Sequence, residues 1–283
     1  MKKIKNIELV VCDLDGTLLN SKASVSNNNS LALHKLNDLG IKIAFCSGRQ
    51  AADIEYIASS IGLNDAIIIS LNGSFVMQKS GEIAINEKIP NDSAKECLNI
   101  FNRYDVAFSC FCGNVLINNK VPEYEKDLSF WNKERRERRK LVTHLYGYDH
   151  INKYMQEGIN KFVYVDLENQ DLLQKIKNEM SCIQGIDVTS SWQSNFEIMP
   201  KGINKSFALK KLINKLNIEK SNVLAFGDND NDIELLKTAG YGVAMGNAND
   251  TLKDIADFLT LSNDNDGVAY FLNHYVLESL KNV

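Results

Sequence analysis

One repeating unit constrains this chain more than any other feature: a short apolar run ends in polar residues, and an amphipathic helix follows. It begins with Ile7 to Cys12, a helix near Asn28 to Leu39 closed by Gly40, the run Ile41 to Cys46, a helix over Ala51 to Ile61 stopped by Gly62, and the run Ala66 to Ser70. It returns after Pro200 with a helix from Lys205 to Leu216, a strand Val223 to Phe226, a helix Asp232 to Ala239, a strand Tyr241 to Met245 and a last helix from Gly267 to Leu280. Strands that are apolar throughout and alternate with helices predict a parallel sheet covered on both faces, the doubly wound α/β class.

Between these halves the pattern changes. A helix over Asp92 to Tyr104 precedes a hairpin, Val106 to Phe111 and Val115 to Asn118, with Gly113-Asn114 at its turn. A charged helix, a strand Lys161 to Asp166, a helix Asp171 to Cys182 and a strand Ile186 to Ser190 complete a smaller α+β unit. Neither flanking half has enough strands for a doubly wound sheet of its own, so residues 84–190 are expected to be an insertion into a core formed by 1–83 and 191–283. A length of 283 residues suits this arrangement.

Composition excludes several classes. The apolar runs are far shorter than the roughly 20 residues of a membrane span, and no secretory leader follows the basic start, so the cytoplasm is the expected location. A net charge of −4 argues against a dedicated nucleic-acid binder. The six cysteines are scattered, as reduced packing residues would be, and the close pair Cys110 and Cys112 lacks the further ligands of a zinc site. The mixed run Lys133 to Lys140 reads as a solvated helix face, with an electrostatic funnel for anions as the alternative.

Ligands of open α/β sheets gather at the carboxyl ends of the strands. At the first of these ends stands Asp13-Leu14-Asp15-Gly16-Thr17-Leu18, whose two carboxylates, two residues apart, project to one side of an extended chain. Such hard oxygen donors favour magnesium, although an ordinary Asp-Gly turn shares the local pattern. Ser47-Gly48-Arg49 ends the next strand with a hydroxyl and open backbone N–H groups ahead of a helix. Gly227 to Asp232 brings Asp228, Asp230 and Asp232 beside Asn229 and Asn231, a density that repels itself without a cation. Lys205 opens a helix, where a cation is unfavourable unless an anion offsets it.

Together these elements resemble the signature set of the haloacid dehalogenase superfamily of phosphatases, and the inserted unit resembles the large α/β cap of its Cof-type branch. The resemblance spans nearly the whole chain; Ser47 stands where the family more often has Thr, and keeps the hydroxyl. It implies that Asp13 attacks phosphorus to form an aspartyl-phosphate and that Asp15 protonates the leaving alcohol and then activates water. It further implies phosphate contacts from the Leu14 backbone, Ser47, Gly48, Lys205 and Asn231. Magnesium would be held by Asp13, the Asp15 carbonyl and Asp228, with Asp232 behind them orienting water or Lys205.

The implied activity is hydrolysis of a small phosphate monoester, such as a sugar phosphate or a related phosphorylated metabolite. A phosphomutase and a non-catalytic sensor of phosphorylated metabolites are the alternatives. The cap would choose the substrate, but residues 84–190 carry no readable code for it, and nearby aromatics such as Trp192 read as core or rim. Nor does the sequence specify the oligomeric state. If the basic run is a solvated face, neutralising Arg135, Arg136, Arg138 and Arg139 together leaves KM and its ionic-strength dependence unchanged in a phosphate-release assay.

Overall fold

The computed structural model describes residues 4, 6–78, 81–122, 126, 140, 142–190 and 193–278. The basic run at 133–139, Trp192 and residues 279 and 280, where the last helix is expected to end, lie outside the described residues. The chain divides into two compact units, Met1–Arg49 with Ile54–Ala84 and Asn204–Val283, and Gln50–Asp53 with Ile85–Ile203.

The first unit is built on an eight-stranded sheet. Its strands are β1 (Leu9–Asp13), β2 (Lys42–Cys46), β3 (Ile67–Ser70), β4 (Phe75–Met77), β5 (Ile83–Asn86), β12 (Val223–Gly227), β13 (Tyr241–Ala244) and β14 (Phe258–Leu259), in the order β14-β13-β12-β1-β2-β3-β4-β5. From β14 to β3 every pair is parallel, and β4 joins β3 antiparallel. Every residue of β1, β3, β12 and β13 is buried, as a sheet covered on both faces requires. The helices are α1 (Asn27–Asp38), α2 (Ala51–Ser60), α6 (Lys205–Leu216), α7 (Ile233–Thr238), α8 (Asp250–Ile255) and α9 (Gly267–Phe271), the last running on into a wider turn over Leu272–Leu277. Local caps set several starts: Ser26, Asn204 and Asn249 each accept a backbone N–H from the first turn of α1, α6 and α8.

The second unit holds a six-stranded sheet of β6 (Phe108–Cys112), β7 (Val115–Asn118), β8 (Thr143–Tyr146), β9 (Lys161–Val165), β10 (Ile186–Thr189) and β11 (Asn195–Pro200), ordered β10-β11-β9-β6-β7-β8. Helices α3 (Asn91–Tyr104), α4 (Tyr148–Glu157) and α5 (Gln170–Met180) belong with it. Cys97 and Phe101 of α3 and Leu173, Ile176 and Met180 of α5 share one core with Phe108, Phe162 and Phe196 of the strands. Phe101 stacks on Phe108 with ring centroids 4.4 Å apart. The sequence-based boundary at Ser190 falls short of the unit's end at Ile203, because Asn195–Pro200 is the strand between β10 and β9. Its Phe196 and Ile198 enter the core, while Glu197 points the other way and pairs with Lys161 at 2.9 Å. Among the described residues no helix is long and apolar enough to cross a membrane.

Beyond β3, Leu71, Asn72 and Gly73 take φ of +48°, +53° and +97° in succession. Only glycine adopts this conformation at little cost. A Cβ at Gly73 would also lie 2.4 Å from the carbonyl oxygen of Asn204, the cap of α6. Gly73→Ala is therefore expected to cost about 1–3 kcal/mol in denaturant unfolding, from strain and from displacement of the start of α6.

Candidate active site

Sheet register assembles the site before any side chain is considered. Asp13, the last residue of β1, is the Cα partner of Cys46, and Cys12 is the partner of Phe226. Three neighbouring strands thus end at one level, and the residues just past those ends are Leu14, Ser47 and Asp228. Lys205 approaches them as the first residue of α6.

Lys205 is 1% exposed and its ammonium lies 2.6 Å from Asp13 Oδ1 and 2.6 Å from Asp232 Oδ1. Burial pulls the Lys205 pKa down, but the Asp13 and Asp232 carboxylates outweigh it and hold the group well above its usual value, so it remains a cation. Asp232, completely buried, also accepts the backbone N–H groups of Asp228 and Asn229 on Oδ2, at 3.1 and 3.2 Å. Both of its oxygens are thereby occupied in orienting the lysine and the turn.

Asp228 is half-buried and accepts a hydrogen bond from Thr17 Oγ1 at 3.0 Å. Burial and then the neighbouring Asp232 push its carboxyl up to about 6. Asp13 is raised as well, by burial first, against the lowering pull of Lys205 and with Asp232 and Asp228 adding to the rise. Carboxylates so placed are stable as anions only when further positive charge arrives. Oxygens of Asp13, Asp228 and Asp232 all lie within 4.8 Å of one another, and this oxygen-only donor set fits a hard divalent cation. Gly16, with φ +82°, lets the chain turn against Asp228, whose Oδ2 would stand 2.3 Å from a Cβ there.

Other expected residues sit nearby in different ways. Ser47 is buried; its carbonyl accepts the Asn72 N–H at 3.0 Å and its Oγ accepts the Arg49 N–H at 3.3 Å. Leu14 is fully buried and its carbonyl accepts the N–H groups of Thr17 and Leu19, which closes the loop after β1. Asn231 is half-buried in the short turn Asp230–Asp232, and Gly48 lies between Ser47 and Arg49. Cys12 is a core residue, its thiol pushed far up by burial.

Asp15 does not join the cluster. The same-side rule holds only while a strand continues, and β1 stops at Asp13. The Asp15 carboxylate instead meets Arg49, with Nε 2.7 Å from Oδ2 and Nη2 2.5 Å from Oδ1. Arg49, quoted in the sequence but given no role there, is one residue that sequence reasoning missed. Thr17, Asn247 and Asn249 are others: Asn247 Nδ2 donates to the Gly16 carbonyl at 2.8 Å, and Asn249 Nδ2 donates to Asp230 Oδ1 at 2.8 Å. Both asparagines follow the carboxyl end of β13, where the strand-end rule points if it is applied to every strand.

Known proteins resemble the chain over nearly its whole length. The family model for haloacid dehalogenase-like hydrolases matches residues 10–272. A 5-amino-6-(5-phospho-D-ribitylamino)uracil phosphatase of Bacillus subtilis is 30% identical over 272 residues, covering 96% of this chain and 97% of its own. An HMP-PP phosphatase of Yersinia pseudotuberculosis is 28% identical and covers 95% of each chain. The solved structure of a haloacid dehalogenase-like hydrolase from B. subtilis superposes with a TM-score of 0.83 at 28% identity, covering 95% of this chain and all of the other. With its parallel sheet, its buried lysine between two aspartates and a family match over nearly its whole length, the chain belongs to the haloacid dehalogenase-like hydrolases.

Proposed function

We propose that the protein is a magnesium-dependent phosphatase of small phosphate monoesters that works through an aspartyl-phosphate on Asp13. The observation that carries this reading is the buried ammonium of Lys205 against Asp13 Oδ1. An anionic carboxylate approaches a dianionic phosphate only where preorganised positive charge offsets their repulsion, and Lys205 provides such charge at the attacking atom. Asp232 serves by holding the lysine there.

In the first step an oxygen of Asp13 forms a bond to phosphorus while the bond from phosphorus to the alcohol oxygen breaks, and Asp15 gives that oxygen its proton. In the second, Asp15 takes a proton from water as the water oxygen attacks phosphorus, which frees phosphate and restores Asp13. The backbone at Leu14 with Ser47, Gly48, Lys205 and Asn231 would hold the phosphoryl oxygens. Asp13, the Asp15 carbonyl and Asp228 would hold magnesium, which supplies further positive charge to the phosphate when bound.

The inserted unit is read as the cap that selects the alcohol. Two relatives bear the names of phosphatases of small phosphorylated compounds, which supports that substrate class here. Phosphate release from a panel of sugar phosphates and related monoesters, with magnesium and with EDTA, tests the reading. A strict requirement for a bisphosphorylated activator without phosphate release would indicate a mutase instead.

Asp13→Asn is expected to fold and to lose at least about a thousandfold in kcat; turnover within tenfold of the parent would remove Asp13 as nucleophile. A second expectation follows from the raised carboxyls. Asp228 titrates near 6 in the folded protein against an ordinary 3.8, so between those values the native state holds a proton that the unfolded chain has lost. That contribution to stability is therefore present at acid pH and is lost as pH rises through about 6. Magnesium, which relieves the ionised form, should raise Tm more at pH 7.5 than at pH 5 when magnesium and EDTA samples are compared by thermal unfolding. An equal or smaller increment at pH 7.5 would contradict the cation site.

A further inference from the structure

Arg49 is held in place more firmly than an ordinary surface ion pair requires. Its carbonyl accepts the Leu71 N–H at 2.9 Å, and its own N–H donates to Ser47 Oγ at 3.3 Å. The turn that supplies the Leu71 donor contains two successive non-glycine residues with positive φ, Leu71 and Asn72, both buried. Such backbone is strained and persists where the surrounding structure demands it, above all at functional sites. From this pinned backbone the guanidinium, only 17% exposed on its side chain, reaches both oxygens of Asp15, whose own side chain is 58% exposed.

An exposed ion pair contributes little to stability, because water screens it and the side chains lose freedom in forming it. The fork does something a single charge cannot. By engaging Oδ1 and Oδ2 together it specifies the rotation of the Asp15 carboxylate as well as its location. A proton donor in acid catalysis must be aimed at the leaving oxygen, and small misplacements reduce turnover steeply.

We infer that Arg49 is a positioning residue for Asp15, fixing the aim of the acid/base through its two-pronged contact. The inference rests on the phosphatase reading above. It predicts dependence on the leaving group: an alkoxide needs the proton as the bond to phosphorus breaks, whereas p-nitrophenolate departs without one. Losing the aim of Asp15 therefore harms alkyl esters selectively in the step that forms the aspartyl-phosphate.

The experiment uses the full chain with magnesium and two probes, a primary-alcohol sugar phosphate that the parent hydrolyses and p-nitrophenyl phosphate. Arg49→Met, Arg49→Lys, Asp15→Ala and the double variant Arg49→Met/Asp15→Ala are compared, with circular dichroism as the check on folding. Arg49→Met is expected to lower kcat/KM, which reports the step that expels the alcohol, about tenfold to a hundredfold more for the sugar phosphate than for the nitrophenyl ester. Arg49→Lys, which keeps the charge and loses the fork, should behave like Arg49→Met. In the Asp15→Ala background the Arg49 substitution should add nothing further.

Equal losses of kcat/KM on both esters, full rescue by lysine, or additive losses in the double variant would each overturn the inference by showing that Arg49 acts on the phosphoryl group as a charge. Unchanged kinetics would overturn it by reducing the contact to a surface ion pair. The Asp13→Asn variant, assayed alongside, separates failure of this inference from failure of the phosphatase reading.

Discussion

The ammonium of Lys205, buried between Asp13 and Asp232, is the interaction on which the rest of the site depends. Taking ions out of water costs several kcal/mol each, and removing one partner of a buried pair typically costs about 3–5 kcal/mol because the remaining charge is stranded. The arrangement survives because each member is held from more than one side. Asn204 caps the helix that delivers Lys205, Gly73 allows the neighbouring turn to approach that cap, and the backbone of the Asp228 turn donates to Asp232. Well-packed hydrophobic residues often serve stability as well as a buried ion pair does, so the charges point to chemistry rather than to stability.

Around this pair the first unit gathers more negative charge than Lys205 balances. Asp13 and Asp228 are raised, by burial first and by neighbouring carboxylates after it, and oxygens of Asp13, Asp228 and Asp232 form one carboxylate cluster. Thr17, Gly16 and Asn247 hold the loop after β1 in the shape that brings Asp228 against it. The inserted unit is organised on other terms, around a core of stacked and tilted aromatic rings at Phe101, Phe108, Phe162 and Phe196.

Much of the fold was legible because parallel strands buried on both faces leave continuous apolar runs, and Leu9–Asp13, Lys42–Cys46 and Val223–Gly227 fall where those runs predict them. The elements that escaped have weaker patterns. Asn195–Pro200 alternates polar and apolar residues only as far as Ile198 and ends in proline, and Thr143–Tyr146 carries no apolar run at all. Phe258–Leu259 is two residues long. Within the site, Asp13, Asp228, Asp232 and Lys205 stood out because charged residues at strand and helix ends need a partner, and the structure shows the partners to be one another for Lys205. Arg49 and Asn247 also follow strand ends, but their roles were not legible there, since each matters through a contact with a residue distant in the chain.

The sequence by itself determined the class of fold, the order of the strand ends and the kinds of group placed at them, because periodicity and strand-end chemistry are local properties. Tertiary structure decided which of those groups meet. It joined Lys205 to Asp13 across 192 positions, and it turned Asp15 away from the cluster toward Arg49 once β1 had ended. The reason is physical: a side chain's partner is set by strand register and by where each strand stops, and both emerge only when the whole sheet has packed.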